Sequence, residues 1–127
     1  MDTEIRAVIL TAEGERHFCA GFDLEELSTL NPEEARTVAI SLHSLIEALE
    51  RLGRPVIAAL NGSACGSGMD LALAATMRIA ADHALLGYDE TGLGLLPGLA
   101  SARRLARIVG LGRAQEMLLT GVTVSAQ

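Results

Sequence analysis

The chain has 127 residues, of which half are hydrophobic and only three are aromatic, and its formal net charge is -6. This length predicts one domain, residues 1–127, with an aliphatic core. The acidic balance argues against nucleic acid or an anionic membrane as the main partner, because both select basic surfaces. No apolar run reaches the roughly 18 residues of a membrane span. The acidic start MDTEIR lacks the pattern of a signal peptide, so we expect a cytoplasmic protein.

The first half of the chain predicts a strand and a long helix. Residues 4–11, EIRAVILT, are rich in β-branched side chains, which suits a buried strand. Asn31, followed by Pro32 and Glu34, predicts a helix start in which Asn31 is the cap. Apolar residues at helical spacing continue this amphipathic helix to near Gly53.

The second half of the chain predicts shorter, alternating elements. In chain order these are a strand, a loop, a helix, two short strands and two helices, at 56–60, 61–68, 69–77, 78–82, 84–88, 99–109 and 113–119. Strands that alternate with helices predict an α/β fold whose strands pair at least partly in parallel.

Three predicted loops follow strands and precede helices, at 18–23, 61–68 and 88–98. Ligands of open α/β sheets collect at the carboxyl ends of the strands, so we expect these loops to form the functional site. The first loop contains Cys-Ala-Gly-Phe-Asp, and its small residues suggest that something approaches the backbone closely.

The Gly-Ser-Gly-Met-Asp segment at the end of the second loop has two interpretations. A helix that begins here has unpaired amides in its first turn, and these amides would favour a negative or developing negative oxygen. Gly66 and Gly68, on either side of Ser67, would let a ligand reach the backbone. The alternative is an ordinary capped helix start, with Ser67 as the cap and Asp70 closing a capping box. A nucleotide P-loop is disfavoured because no Lys-Ser/Thr follows.

Asp70 and Glu90 are the candidate catalytic acids. Two carboxylates that separate elements bring together could divide acid and base work if their environments push their pKa values apart. The alternative is that Asp70 is a helix cap and that Glu90 is a solvated loop acid beside Asp89.

The histidines and cysteines show no spacing typical of a metal site, and no metal is predicted. His17 and His83 are expected in exposed loops, and His43 on the long helix is expected to be structural. Cys19 and Cys65 are expected to be reduced thiols rather than a structural bridge.

Four segments carry a resemblance to a known family through their order and spacing. They are FCAGFDLEEL, PVIAALNGSACGSGMDLALAATMRIAAD, LLGYDETGLGLLPG and RIVGLGRAQEMLLTGVTVSA, and they cover nearly the whole chain. In these segments the chain resembles the enoyl-CoA hydratase/isomerase (crotonase) superfamily. The resemblance implies a core of spiralling ββα units, incomplete relative to a full family member. It also implies a homo-oligomer, a trimer or a dimer of trimers, if flanking segments are present.

The resemblance implies an oxyanion hole that stabilises an acyl-CoA enolate. In the family, a peptide N–H just after an Ala-Gly pair, here Ala20 and Gly21, points at the thioester oxygen, which assigns this donor to Phe22. The second donor comes from the middle of a Gly-rich triplet, here Ser67. Such fixed donors are worth about 10²–10³ in rate each. The implied partner is an acyl-CoA thioester, and coenzyme A belongs to that substrate, so no separate cofactor is implied.

The resemblance also assigns the two acids and leaves the reaction open. In hydratases both acids are Glu, and together they hold one water. Asp70 is shorter than Glu by one bond of about 1.5 Å. A misplacement of about 1 Å can lower the rate on the order of 10²-fold. Dienoyl-CoA isomerases have Asp at the first position, but their third acid falls at Gly98, as does the nucleophilic Asp of the dehalogenases. Simple enoyl-CoA isomerases use one Glu, which fits Glu90 alone. Asp89 is a further candidate for the working acid.

A second interpretation is a truncated, non-catalytic crotonase-like module that acts in assembly or binding only. In the family, the segment before EIRAVILT helps to hold the CoA nucleotide, and the segment after VSAQ covers the acyl pocket and builds the trimer. Their absence and the Asp at position 70 motivate this alternative. An incomplete edge is also expected to expose apolar surface.

Overall fold

Strands and helices alternate along the chain in the computed structural model, which describes residues 4–98 and 101–127. The strands are β1 (Val8–Leu10), β2 (His17–Cys19), β3 (Val56–Leu60), β4 (Ser63–Cys65), β5 (Met77–Ala80), β6 (Leu85–Gly87) and β7 (Val124–Ser125). The helices are α1 (Leu24–Thr29), α2 (Pro32–Glu50), α3 (Ser67–Ala74), α4 (Ser101–Val109) and α5 (Leu111–Thr120), with a 3₁₀ helix at Asp89–Leu93.

From β1 to β6, successive strands go alternately to two sheets. The first sheet has the order β1-β3-β5 and is parallel, and the second has the order β2-β4-β6-β7. In the second sheet β2, β4 and β6 pair in parallel, and β7 pairs antiparallel with β6. Each pair of strands is followed by helical structure, which makes the repeating unit ββα. The predicted α/β class and the predicted spiral of ββα units are confirmed.

Short strands account for most differences from the predicted elements. β1 covers only part of the predicted 4–11, β2 and β4 overlap the loops predicted at 18–23 and 61–68, and β7 is not predicted. His17 is exposed, as expected, but it lies in β2 rather than in a loop. These strands have two or three residues. Pairing across a sheet, rather than local propensity, decides whether such a short segment is a strand.

The start of α2 agrees closely with the prediction. Asn31 is the cap, and its side chain accepts a hydrogen bond from the Glu34 amide at 3.0 Å. The Glu34 carboxylate accepts in return from the Asn31 amide at 2.9 Å, which completes the capping box. Pro32 is the first helical residue, where its missing N–H costs nothing.

The other helices differ from the predictions at their ends. α3 begins two residues before and ends three residues before the predicted 69–77, because Met77 already belongs to β5. α5 begins two residues before the predicted 113–119. α4 agrees with the predicted 99–109 from its third residue onward, and residues 99 and 100 lie outside the described residues.

Helix α3 joins two clusters of buried side chains. The first draws on strands of both sheets and contains Phe18, Val56, Ala58, Leu60, Ala64, Ala72 and Ala75. The second draws on α4 and α5 and contains Met69, Leu73, Tyr88, Leu105, Ala114 and Met117. Seven of the eight residues of α3 are buried. This helix therefore couples the sheets to the C-terminal helices.

Apolar side chains remain exposed on α2 and on one face of the first sheet. In α2, Ile46 is fully buried, but Ile40 and Leu45 are about half exposed, at 56% and 49%. On the sheet, Ile9 and Ile79 are 67% and 62% exposed. The described residues thus leave part of the predicted apolar face of α2 uncovered. Within those same residues, no helix combines the length and apolarity needed to cross a bilayer.

Gly68 tests how tightly α3 is packed against β2. A Cβ atom at Gly68 would lie 2.1 Å from the Cys19 carbonyl oxygen, so the helix or the strand would have to move. We expect Gly68→Ala to lower the free energy of unfolding by about 1–3 kcal/mol, as overpacking does, measured by urea unfolding. The control is Gly112→Ala in α5, where a Cβ meets nothing within 4 Å and a gain of roughly 0.5–1 kcal/mol is expected. The same sign for both variants would contradict this account.

Candidate functional site

A cleft of about 440 Å³ opens at the carboxyl ends of the strands of the second sheet. Its lining is mainly aliphatic, and the ionisable groups among its described residues are all carboxylates. The lining residues are Ala20, Gly21, Phe22, Leu24, Leu27, Ala35, Val38, Ala39, Ser67, Asp70, Asp89, Glu90, Leu93, Leu95, Leu96 and Gly98. Each of the three loops predicted to form the site contributes to this cleft.

The structure brings the predicted site residues to this one place. Gly66 and Gly68 flank Ser67 along the backbone and are buried, without lining the cleft themselves. The other predicted residues line it: Ala20, Gly21, Phe22, Ser67, Asp70 and Glu90. Their proximity is an observation, whereas their roles stay predictions.

The backbone segments that carry the two predicted donors lie against each other. Gly21 lies directly before Phe22 and has a φ of +96°, a backbone conformation that residues other than glycine rarely adopt. A Cβ at Gly21 would lie 3.1 Å from the Cys65 carbonyl oxygen and 3.5 Å from the Ser67 amide nitrogen. Only a residue without a side chain allows this approach.

Gly66 brings the start of α3 next to Glu90. Gly66 caps α3 with a φ of +56°, and a Cβ there would lie 2.3 Å from Oε1 of Glu90. The Glu90 carboxylate therefore occupies the space that a side chain at position 66 would fill. It lies beside the amides that open the helix.

The amides of Phe22 and Ser67 are available to a ligand. Neither amide donates a hydrogen bond to a protein acceptor within residues 4–98 and 101–127. Ser67 is the first helical residue of α3, a position whose N–H has no partner inside the helix. An oxygen that becomes negative would be stabilised by such amides and by the positive end of the helix dipole.

The alternative of a Ser67 cap with Asp70 closing a capping box is wrong. Gly66 is the cap of α3, and no side chain caps this helix. Asp70 instead turns inward, where its Oδ1 accepts a hydrogen bond from the Tyr88 hydroxyl at 2.8 Å.

Asp70 is a buried carboxyl group whose hydrogen bonds oppose the effect of burial. Its exposed fraction is only 2%, so solvent barely reaches it although it contributes to the lining of the cleft. Burial raises the pKa of Asp70, while the hydrogen bond from Tyr88, the nearby Ser101 hydroxyl and the charge of Arg104 lower it in part. The net direction is upward.

Glu90 is a half-buried acid without a hydrogen-bond partner at one oxygen. Its Oε2 is buried and has no partner within the described part of the chain. Burial raises the pKa of Glu90, and the negative charges of Asp89 and Asp70 raise it further, while a hydrogen bond with its own backbone opposes them. A carboxyl group with a raised pKa is a stronger base than a solvated one. The alternative of a solvated loop acid is therefore wrong for Glu90, whereas Asp89 is exposed.

Sequence reasoning missed the polar groups behind the cleft. Tyr88, the only tyrosine in the chain, is fully buried against Asp70. Arg104 is 6% exposed and pairs with Glu50 through two hydrogen bonds, Nε to Oε1 at 2.7 Å and Nη2 to Oε2 at 3.1 Å. In the sequence, the only indication of these groups was Tyr88 itself, a single polar aromatic residue at the end of a predicted strand.

The histidines and cysteines lie apart from this chemistry. His43 pairs with Glu47 at 3.3 Å along α2, and Nε2 of His83 lies 2.8 Å from the Glu15 carbonyl oxygen. Both cysteines are free thiols. Burial, with the charges of Asp89 and Glu90, raises the pKa of the Cys65 thiol and keeps it protonated. No group of three potential ligands in the described ranges could hold a metal ion.

Comparison with known proteins places the chain in a family. The enoyl-CoA hydratase/isomerase family model matches residues 1–127, so the chain belongs to this family. The short-chain-enoyl-CoA hydratase of Clostridium acetobutylicum is 42% identical over 125 residues, which are 98% of this chain and 48% of that protein. The crotonyl-CoA hydratase of Syntrophomonas wolfei is 38% identical over the same shares of the two chains.

A solved structure agrees with this assignment. The enoyl-CoA hydratase of Bacillus anthracis has a TM-score of 0.95 and 46% identity, over 99% of this chain and 49% of that one. The resemblance found in the sequence is thus confirmed. The chain spans about half the length of the relatives that it matches.

The raised pKa of Glu90 predicts a stability that depends on pH. Because folding raises this pKa, the charged form costs stability at neutral pH and the cost disappears as the pH falls below the ordinary value of 4.5. We expect Glu90→Gln to raise the free energy of unfolding by about 1 kcal/mol at pH 7 and to leave it unchanged at pH 4, measured by urea unfolding. The exposed Glu13 supplies the control Glu13→Gln, which is expected to change little. A gain of equal size at both pH values would refute the electrostatic explanation.

Proposed function

We propose that the chain carries the catalytic core of an acyl-CoA enzyme of the enoyl-CoA hydratase/isomerase type. The backbone amides of Phe22 and Ser67 form the oxyanion hole for the thioester enolate, and Glu90 is the acid/base. The observation that carries the proposal is the contact between the Glu90 carboxylate and Gly66, which brings the acid beside the first amides of α3.

The chemistry follows from this juxtaposition. When Glu90 takes a proton from a carbon conjugated with the thioester, the C–H electron pair moves towards the carbonyl oxygen, which becomes negative. Two fixed N–H donors stabilise that oxygen without reorganising at the moment of reaction. Glu90 can return the proton to the substrate in a second step, so the carboxylate base is regenerated.

The part of the cleft that α1 and α2 line is aliphatic, which favours a substrate with an aliphatic acyl group. α1 and α2 contribute Leu24, Leu27, Ala35, Val38 and Ala39 to the lining. Coenzyme A would enter as part of this substrate. A homo-oligomer of the trimer or dimer-of-trimers type and a cytoplasmic location stay predictions.

A second candidate is a crotonase-like module that binds or assembles without catalysis. It is favoured by the shorter acid at position 70. In such a module the cleft would hold no thioester. Calorimetric titration with acetyl-CoA separates the two candidates, because only the enzyme is expected to give saturable heat.

The donor role of Ser67 can be tested apart from its side chain. Ser67→Pro removes the N–H while a proline at the first helical position is structurally tolerated. We expect this variant to lower the turnover of enoyl-CoA substrates about 10²–10³-fold, and Ser67→Ala to stay close to the wild type because the amide remains. If Ser67→Ala loses as much activity as Ser67→Pro while both remain folded, the side chain acts and the backbone-donor proposal fails.

Glu90→Gln tests the acid/base. It keeps the size of the side chain and removes the proton-transferring group, so we expect a loss of about 10²–10⁴-fold in turnover. The assays follow hydration of crotonyl-CoA and the double-bond shift of a 3-enoyl-CoA. Asp89→Asn is the matched variant one residue earlier, and a larger loss there would assign the role to Asp89. Equal rates for Glu90→Gln and the wild type would remove Glu90 from the mechanism.

A further inference from the structure

The Tyr88 hydroxyl is a buried donor directed at one of the two acids of the cleft. Tyr88 is fully buried at the end of β6, and it donates to Oδ1 of Asp70 at 2.8 Å. The two residues belong to different elements, eighteen positions apart. Burial and the nearby Asp70 charge raise the pKa of Tyr88, so its O–H remains a donor at physiological pH.

Charged and polar groups from several elements lie near Asp70. Tyr88 approaches from β6, while Ser101 and Arg104 approach from α4. The Arg104 guanidinium is itself engaged by Glu50 of α2. On the side of the cleft, the 3₁₀ helix contributes Glu90 and Asp89, and the negative charge of Asp70 reaches Glu90.

The two acids therefore have different surroundings. Asp70 is 2% exposed and accepts a hydrogen bond, whereas Oε2 of Glu90 has no partner within the described residues. Tyr88 holds Oδ1 of Asp70 by a buried hydrogen bond to a charged group, worth about 1.5–3 kcal/mol, and the 2% exposure of Asp70 leaves its carboxylate little access to a substrate water. Glu90 has no such bond to give up at that oxygen.

We propose that Tyr88 is a positioning residue of the site, because its hydroxyl holds Asp70 in the interior. Asp70 then acts on the reaction through its charge, and Glu90 alone exchanges protons with the acyl group. This inference rests on the proposed function and narrows it. A single exchanging acid suits a double-bond shift. Glu90 breaks a C–H bond beside the carbonyl, the electron pair becomes the new C=C as the old one opens, and the same proton bonds to the γ carbon.

The test uses carbon NMR on the full chain to follow the titration of the Asp70 and Glu90 carboxyl groups. In Tyr88→Phe only the hydroxyl is lost, so the pKa of Asp70 is expected to rise. Because Asp70 is then charged less often, the pKa of Glu90 is expected to fall, and the acid limb of the turnover profile is expected to move to lower pH. The matched control is Thr91→Val, which removes a hydroxyl bonded to the Leu118 carbonyl at 2.8 Å and is expected to move neither pKa.

Asp70→Asn completes a double-mutant cycle and serves as the second variant if Tyr88→Phe does not fold. It removes the charge, so the pKa of Glu90 is expected to fall, and adding Tyr88→Phe is expected to change it no further. An unchanged Glu90 pKa in Asp70→Asn, or an unchanged Asp70 pKa in a folded Tyr88→Phe, overturns the proposal. These titrations need no thioester, so a failure to bind acetyl-CoA would refute the proposed function without affecting them.

Discussion

The close packing around the start of α3 is the constraint on which the site depends. A side chain at Gly66 would overlap the Glu90 carboxylate, and one at Gly68 would overlap the Cys19 carbonyl at the end of β2. At Gly68 the overlap is with backbone, so α3 or β2 would have to move, whereas at Gly66 the flexible Glu90 side chain would have to leave its place beside the helix start. The donors and the acid therefore keep their separation because two glycines leave no atoms between these segments. Under the proposed function, this packing would supply the preorganisation that electrostatic catalysis requires, since the amide dipoles would be in place before charge develops.

The same packing explains why two carboxyl groups in one cleft have different environments. Asp70 lies under α4 and β6, where hydroxyl donors and a cation offset part of the cost of burying it. Glu90 lies at the wall of the cleft, where one oxygen has no such donor within the described residues. An unpaired buried polar group costs about 1–3 kcal/mol, which a site retains only if the group does something else. Perturbed acids of this kind cluster at functional sites for that reason.

The sequence could predict features that depend on neighbouring residues, and it could not predict features that depend on contacts between distant segments. The capping box of Asn31 and Glu34 involves neighbours in the chain, so the residue pattern sufficed. The start of α3 differs from the prediction because its cap is Gly66 and no side chain caps the helix, so the local capping pattern gives no signal there. β4 and β7 were missed because two or three residues become a strand only through partners elsewhere in the chain. Tyr88 carried no local sign of its bond to Asp70, whereas the position of the loops at the strand ends and the family resemblance both predicted that the two acids meet.

The packing also divides the cleft into a fixed end and a looser end. Ser67 and Asp70 stand on α3, which is buried almost throughout and is shared by both side-chain clusters, and Glu90 stands on the 3₁₀ helix. The aliphatic wall stands on α1, which buries no residue, and on α2, which buries only Ile46. Elements with few buried contacts open and shift at the least cost in free energy. Under the proposed function, the Ser67 amide would meet the thioester from the part of the molecule that resists movement, while the helices that would meet the acyl chain can adjust. In such a cleft, differences in acyl group are expected to alter binding more than the alignment of donors and acid.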